Sequence, residues 1–73
     1  MKVNIAKLRA KMVELGYNST RLAAAIGIHR STFYRHLQAM GRNLTIGEVH
    51  KICDVLHLSS SEAACIFLST NSQ

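Results

Sequence analysis

Residues Asn18 to Leu37, NSTRLAAAIGIHRSTFYRHL, decide the reading of this 73-residue chain, because they spell two short helices folded across one tight turn. Asn18 suits a helix N-cap, since its short side chain can accept from an otherwise orphaned N–H of the first turn. Leu22, Ala23 and Ile26 then recur at helical spacing, and Gly27 supplies the positive φ that ends the helix. Ile28 plugs the gap between the two helices, and in the second of them Phe33 and Leu37 form a buried i, i+4 stripe. Its outward positions are His29, Arg30, Ser31, Tyr34, Arg35 and Gln38, a surface of donors, cations and one aromatic ring suited to base edges and phosphates. Small residues where two helices cross, with long polar residues at the start of the second, are the layout of a helix-turn-helix.

Charge is concentrated around this motif. The formal charge is +5; from Met1 to Thr45, eight basic residues (Lys2, Lys7, Arg9, Lys11, Arg21, Arg30, Arg35, Arg42) face one acidic residue, Glu14, which gives +7. From Ile46 onward Lys51 is set against Glu48, Asp54 and Glu62, which gives −2. A polyanion bound to the cationic half would release counterions, so its affinity should fall steeply with salt. Lys2, Lys7 and Lys11 either extend that face or are solvated charges that keep the chain soluble.

The same economy limits what else the chain can be. A domain of this length buries only roughly 60% of the surface of its unfolded chain and has little room for a pocket of enzymatic size, so no enzyme is expected. At 48% hydrophobic residues and without proline, it has enough apolar material for a compact helical core. No window reaches the ~18 uninterrupted apolar residues of a membrane span, and the opening MKVNIAKLRAKM lacks the apolar stretch of a signal peptide. A cytoplasmic protein is expected, with Cys53 and Cys65 as buried, reduced thiols.

Outside the motif the spacing predicts three more helices. Helix 1 places Ile5, Leu8, Met12 and Leu15 on one face, with Asn4 as cap and Gly16 as stop. Gly41 in the loop Ala39 to Leu44 breaks helix 3. Helix 4 opens on a capping box from Thr45 to Glu48 and buries Ile46, Val49, Ile52 and Leu56; a second box, Ser59 to Glu62, starts helix 5. The tail from Ser69 to Gln73 is polar. No linker or repeat divides the chain, so residues 1–73 read as one domain with the motif at 18–37.

The run LAAAIGIHRSTFYRHL resembles the helix-turn-helix of the Cro and phage-repressor-like (XRE-type) DNA-binding domains. With a helix before it (Asn4 to Leu15) and two after it (Thr45 to Leu56, Ser60 to Leu68), the resemblance covers nearly the whole sequence. It implies an all-α, five-helix, lambda-repressor-like domain of phage or mobile-element origin in a bacterial host cell. IHRSTFYRHL is also similar to the helix-turn-helix of site-specific recombinases and some transposase arms, but there the module is appended to a catalytic domain, which this sequence does not carry. Two positions depart from the repressor pattern: Ser19 stands where glutamine is usual, and His36 where a large apolar residue is common.

Taken with the outward face of helix 3, the resemblance implies that Arg30, Ser31 and Arg35 read bases with Tyr34 assisting. Ser19, Arg21, His29, Thr32, Arg42 and Asn43, with backbone groups at the start of helix 2, would hold phosphates. Two of these have alternatives: His29 caps helix 3, and Tyr34 packs along the protein surface. In helix 5 the run CIFL places four apolar residues together, more than one helix face can bury; the surplus either completes the core or forms a contact between subunits, and the preferred reading assigns Ile66, Phe67 and Leu68 to a subunit or partner interface. Two copies about a two-fold axis would set their recognition helices ~34 Å apart, one turn of DNA.

Other constellations are weak. His50, Cys53 and His57 share one side of helix 4 but match no established zinc spacing, and no CxxC is present, so no metal is expected. Ser31 beside His29 or His36 lacks a third orienting group and an oxyanion hole. No cofactor, small-molecule ligand or membrane contact is expected. Two functions remain: a sequence-specific regulator of transcription that binds a double-stranded operator as a homodimer or with a partner repressor, or a phage modulator or antirepressor that acts by binding such a repressor.

Overall fold

The structure is a computed structural model that describes residues 3–68; the polar tail and Lys2 lie outside the described residues. Five helices follow one another: α1 (Ile5–Glu14), α2 (Ser19–Ile26), α3 (Arg30–Gln38), α4 (Ile46–Val55) and α5 (Ser60–Phe67). Local chemistry accounts for their starts. The side chains of Asn4 and Asn18 accept from the N–H groups of Lys7 and Arg21, and both capping boxes form, Thr45 with Glu48 and Ser59 with Glu62. No helix among the described residues is long and apolar enough to cross a membrane.

Helix α2 is the hub, packed against both α3 and α4, while α1 pairs with α5. Leu8 and Met12 of α1, Leu22, Ala23 and Ile26 of α2, Phe33 and Leu37 of α3, and Ile52 and Leu56 of α4 form one core. The start of α1 is tied to the end of α5, because the N–H of Asn4 donates to the Ile66 carbonyl at 2.7 Å. Helix α3 stops at Gln38, ahead of the glycine expected to break it, and the turn is made by two successive residues at positive φ, Met40 (59°) and Gly41 (77°). Gly41 is also needed for space, since a β-carbon there would overlap the buried Val3 side chain.

The structure corrects four expectations about burial. Ile66 and Phe67, assigned to an interface, are 3% and 2% exposed and belong to the core, leaving Leu68 (66% exposed) as the outward member of the three. Neighbouring positions on a helix are only 100° apart, so one face can take two consecutive residues. Full burial is worth about 1.5–3 kcal/mol for each such side chain, which a domain this small can ill spare for an interface. Ile46 is 68% exposed rather than buried. It stands two turns before the half-buried Cys53, on the flank of the face that Ile52 and Leu56 define. Leu15, at 41% exposed, falls on the C-cap of α1, and Tyr17 turns in against the core instead. Both cysteines are free thiols, but only Cys53 is half-buried, and Cys65 is exposed where it lines the groove between α1 and α5. Burial pushes the Cys53 thiol above its ordinary value.

Candidate nucleic-acid interface

The turn between α2 and α3 is built from backbone bonds that fix the crossing of the two helices. Gly27 takes the left-handed conformation (φ 83°), its N–H donates to the Ala24 carbonyl, and the N–H of Ile28 donates to the Ala23 carbonyl at 3.0 Å. Ala23 is buried at that crossing, where a larger side chain would hold the helices apart, and Ile28 packs partly into the core beneath the turn. With Phe33 and Leu37 held inside, His29, Arg30, Ser31, Tyr34, Arg35 and Gln38 all stand exposed on one side of the domain.

Within that set the structure separates free side chains from engaged ones. No ion pair among the described residues involves Arg30, Arg35 or Arg42. Arg42 and Asn43 are exposed in the loop after α3, Thr32 is half-buried on the flank of α3, and Ser19 is half-buried as the first residue of α2. Arg21 is tethered: its guanidinium donates to the Gly16 carbonyl at 3.0 Å and lies 5.4 Å from the centre of the Tyr17 ring. An arginine held in this way orders the approach to α2 and has part of its donor fork already occupied. His29 is the N-cap of α3, its Nδ1 accepting from the Ser31 N–H at 3.1 Å, and the same nitrogen is 2.8 Å from Ser31 Oγ. Of the two roles weighed for His29, capping is the one formed here.

His36 links α3 to α4. Its Nε2 lies 3.6 Å from Glu48 Oε1, and that oxygen also accepts from the Thr45 N–H at 3.0 Å as part of the capping box. Its Nδ1 is buried without a protein partner. The departure from an apolar residue at this position is therefore accommodated by a polar contact on one nitrogen only. The His36–Glu48 contact is not written in local spacing, since it depends on how α3 and α4 meet, and the Arg21 tether ends on a backbone carbonyl that no side-chain pattern marks.

The family model that matches residues 7–63 describes a Cro/C1-type helix-turn-helix DNA-binding domain, and the matched span contains α2, the glycine turn and α3. The chain belongs to the Cro/C1-type helix-turn-helix family. No match to it was found among curated proteins or among solved structures. Domains of this family bind DNA, and the exposed side of α3, the second helix of the motif, lies wholly within the matched span.

Proposed function

We propose that the protein is a Cro-like regulator of transcription, of phage or mobile-element origin, that binds a double-stranded operator sequence-specifically as a dimer. Helix α3 lies in the major groove, with Arg30, Ser31 and Arg35 on base edges and Tyr34 against a base or a thymine methyl. Phosphates are held by Ser19, Thr32, Arg42 and Asn43, by backbone N–H groups at the start of α2, by the part of the Arg21 guanidinium that its tether leaves open, and by the Nε2 side of His29. The observation that carries this reading is the exposed row on α3 whose two arginines have no ion-pair partner among the described residues. At the end of α5, the exposed C-cap residue Leu68 is the apolar side chain left for contact with a second copy.

Selection of bound duplexes from a random pool tests the proposal. A palindromic consensus with half-sites one helical turn apart, ~34 Å, supports a dimeric reader. Weak binding with no consensus and steep salt dependence, together with tight binding to a partner repressor, overturns it in favour of a modulator.

A further inference from the structure

Hydrogen-bond direction on the recognition helix is set by one contact. His29 Nδ1 accepts the Ser31 backbone N–H at 3.1 Å, so this nitrogen carries no proton and the proton of the neutral ring sits on Nε2. Ser31 Oγ is 2.8 Å from the same Nδ1. A ring nitrogen without a proton can only accept, so the hydroxyl proton of Ser31 is the one shared in that contact. Two donors from a single residue thus converge on one lone pair. The groups left facing outward have opposite polarity: the Ser31 oxygen offers only lone pairs, and His29 Nε2–H offers only a donor.

In the major groove adenine N6 and cytosine N4 donate, while thymine O4 and guanine O6 accept. A free serine hydroxyl rotates to suit either kind of edge and discriminates poorly between them. We infer that the His29–Ser31 pair turns Ser31 into an acceptor-only reader that selects an amino-bearing base, adenine or cytosine, at the position it contacts, and that His29 is the positioning residue that imposes this choice. The inference rests on the reading of Ser31 as a base contact.

Two measurements test it. Long-range proton–nitrogen NMR of the free protein in mildly alkaline buffer should find the His29 proton on Nε2; a proton on Nδ1 overturns the inference whatever the protein does with DNA. Duplex selection is then run with the wild type, Ser31→Ala, His29→Ala and His29→Asn, with circular dichroism reporting that each variant is folded. The wild type should favour adenine or cytosine over guanine and thymine at one position by about fivefold, the low end for a single base contact. Ser31→Ala should level that position alone. His29→Ala frees the hydroxyl proton and should raise guanine and thymine there, whereas the side-chain oxygen of His29→Asn can accept both Ser31 donors and should retain the preference for amino-bearing bases. If His29→Ala does not fold, Ser31→Ala and the tautomer decide the matter. A Ser31-dependent position that prefers guanine or thymine, or a His29→Ala profile identical to the wild type, overturns the inference. Absence of any wild-type consensus defeats the proposed function as well; a sharp consensus indifferent to Ser31→Ala leaves that function standing and overturns this inference alone.

Discussion

Lys11 on α1 and Arg35 on α3 are two cations of the same basic half of the sequence, yet the structure gives them opposite surroundings. The Lys11 ammonium lies 2.8 Å from a Glu62 carboxylate oxygen and 3.7 Å from Glu14, closing the seam between α1 and α5. The hydrogen bond that Lys11 donates to Glu62 raises the ammonium above its ordinary value, and the Lys11 ammonium with the Ser59 backbone N–H holds Glu62 down at about 2. Arg35 is exposed and, among the described residues, takes part in no ion pair. The seam pairs Lys11 within the fold and buries Ile66 and Phe67, whereas the motif buries only its inner stripe and keeps Arg30 and Arg35 exposed. A net charge counted along the sequence therefore overstates the cationic surface on the α1 side.

The largest effect is expected at Phe67. If the α1–α5 seam is structural, Phe67→Asp places an unpaired charge among core side chains and should cost 3 kcal/mol or more, an order of magnitude drawn from large core truncations and unsatisfied burial. Circular dichroism should then show loss of helix at ordinary temperature. Retained helix with altered sedimentation would return Phe67 to an interface. On the motif side, Ala23→Leu overfills the α2–α3 crossing and should destabilise by about 1–3 kcal/mol; an unchanged melting temperature would place that crossing elsewhere.

Smaller effects sharpen the contrast. His36→Leu removes a buried nitrogen that has no protein partner and puts an apolar residue at the α3–α4 contact. It should raise stability by about 1 kcal/mol, since an unsatisfied buried polar group costs about that much or more, and a lower melting temperature would mean that the Glu48 contact outweighs the orphaned Nδ1. The smallest effect is the acid response of the seam. Glu62 has a folded-state pKa of about 2, below its ordinary value of 4.5, so its contribution is present above pH 4.5 and is lost as pH falls toward 2. Glu62→Gln keeps a side chain able to complete the capping box and should flatten that part of the melting-temperature profile; a variant profile parallel to the wild type would show that the pair adds nothing.

What the sequence made legible was local. Asn18, Gly27 and the two capping boxes act within a few residues of themselves, so the helix starts and the turn of the motif follow from spacing alone. The outward row of α3 was legible for the same reason, because Phe33 and Leu37 fix which side faces inward. Misreadings arose where packing between distant segments decides. Lys11 and Glu62 are 51 residues apart, and no periodicity announces their contact. Ile66 and Phe67 looked like surplus because the arc that α1 covers on α5 is not visible in α5 itself. Ile46 has the residue type of a core position and the place of a flank. At the candidate site, the Arg21 tether was hidden because its acceptor is a backbone carbonyl, Gly16, which carries no side-chain signal.

The claim that α3 reads sequence while the loop after it holds the backbone is tested most directly by equilibrium binding of Arg35→Ala and Arg42→Ala. Each is measured on the selected duplex and on a random duplex at one fixed salt concentration. Arg35→Ala should weaken the selected duplex by about 1–3 kcal/mol and leave the random duplex nearly unchanged, because a bidentate arginine–guanine contact carries that much discrimination. Arg42→Ala should weaken both duplexes alike. Equal losses on both duplexes for Arg35→Ala would contradict the account, since α3 would then be contributing charge and not recognition.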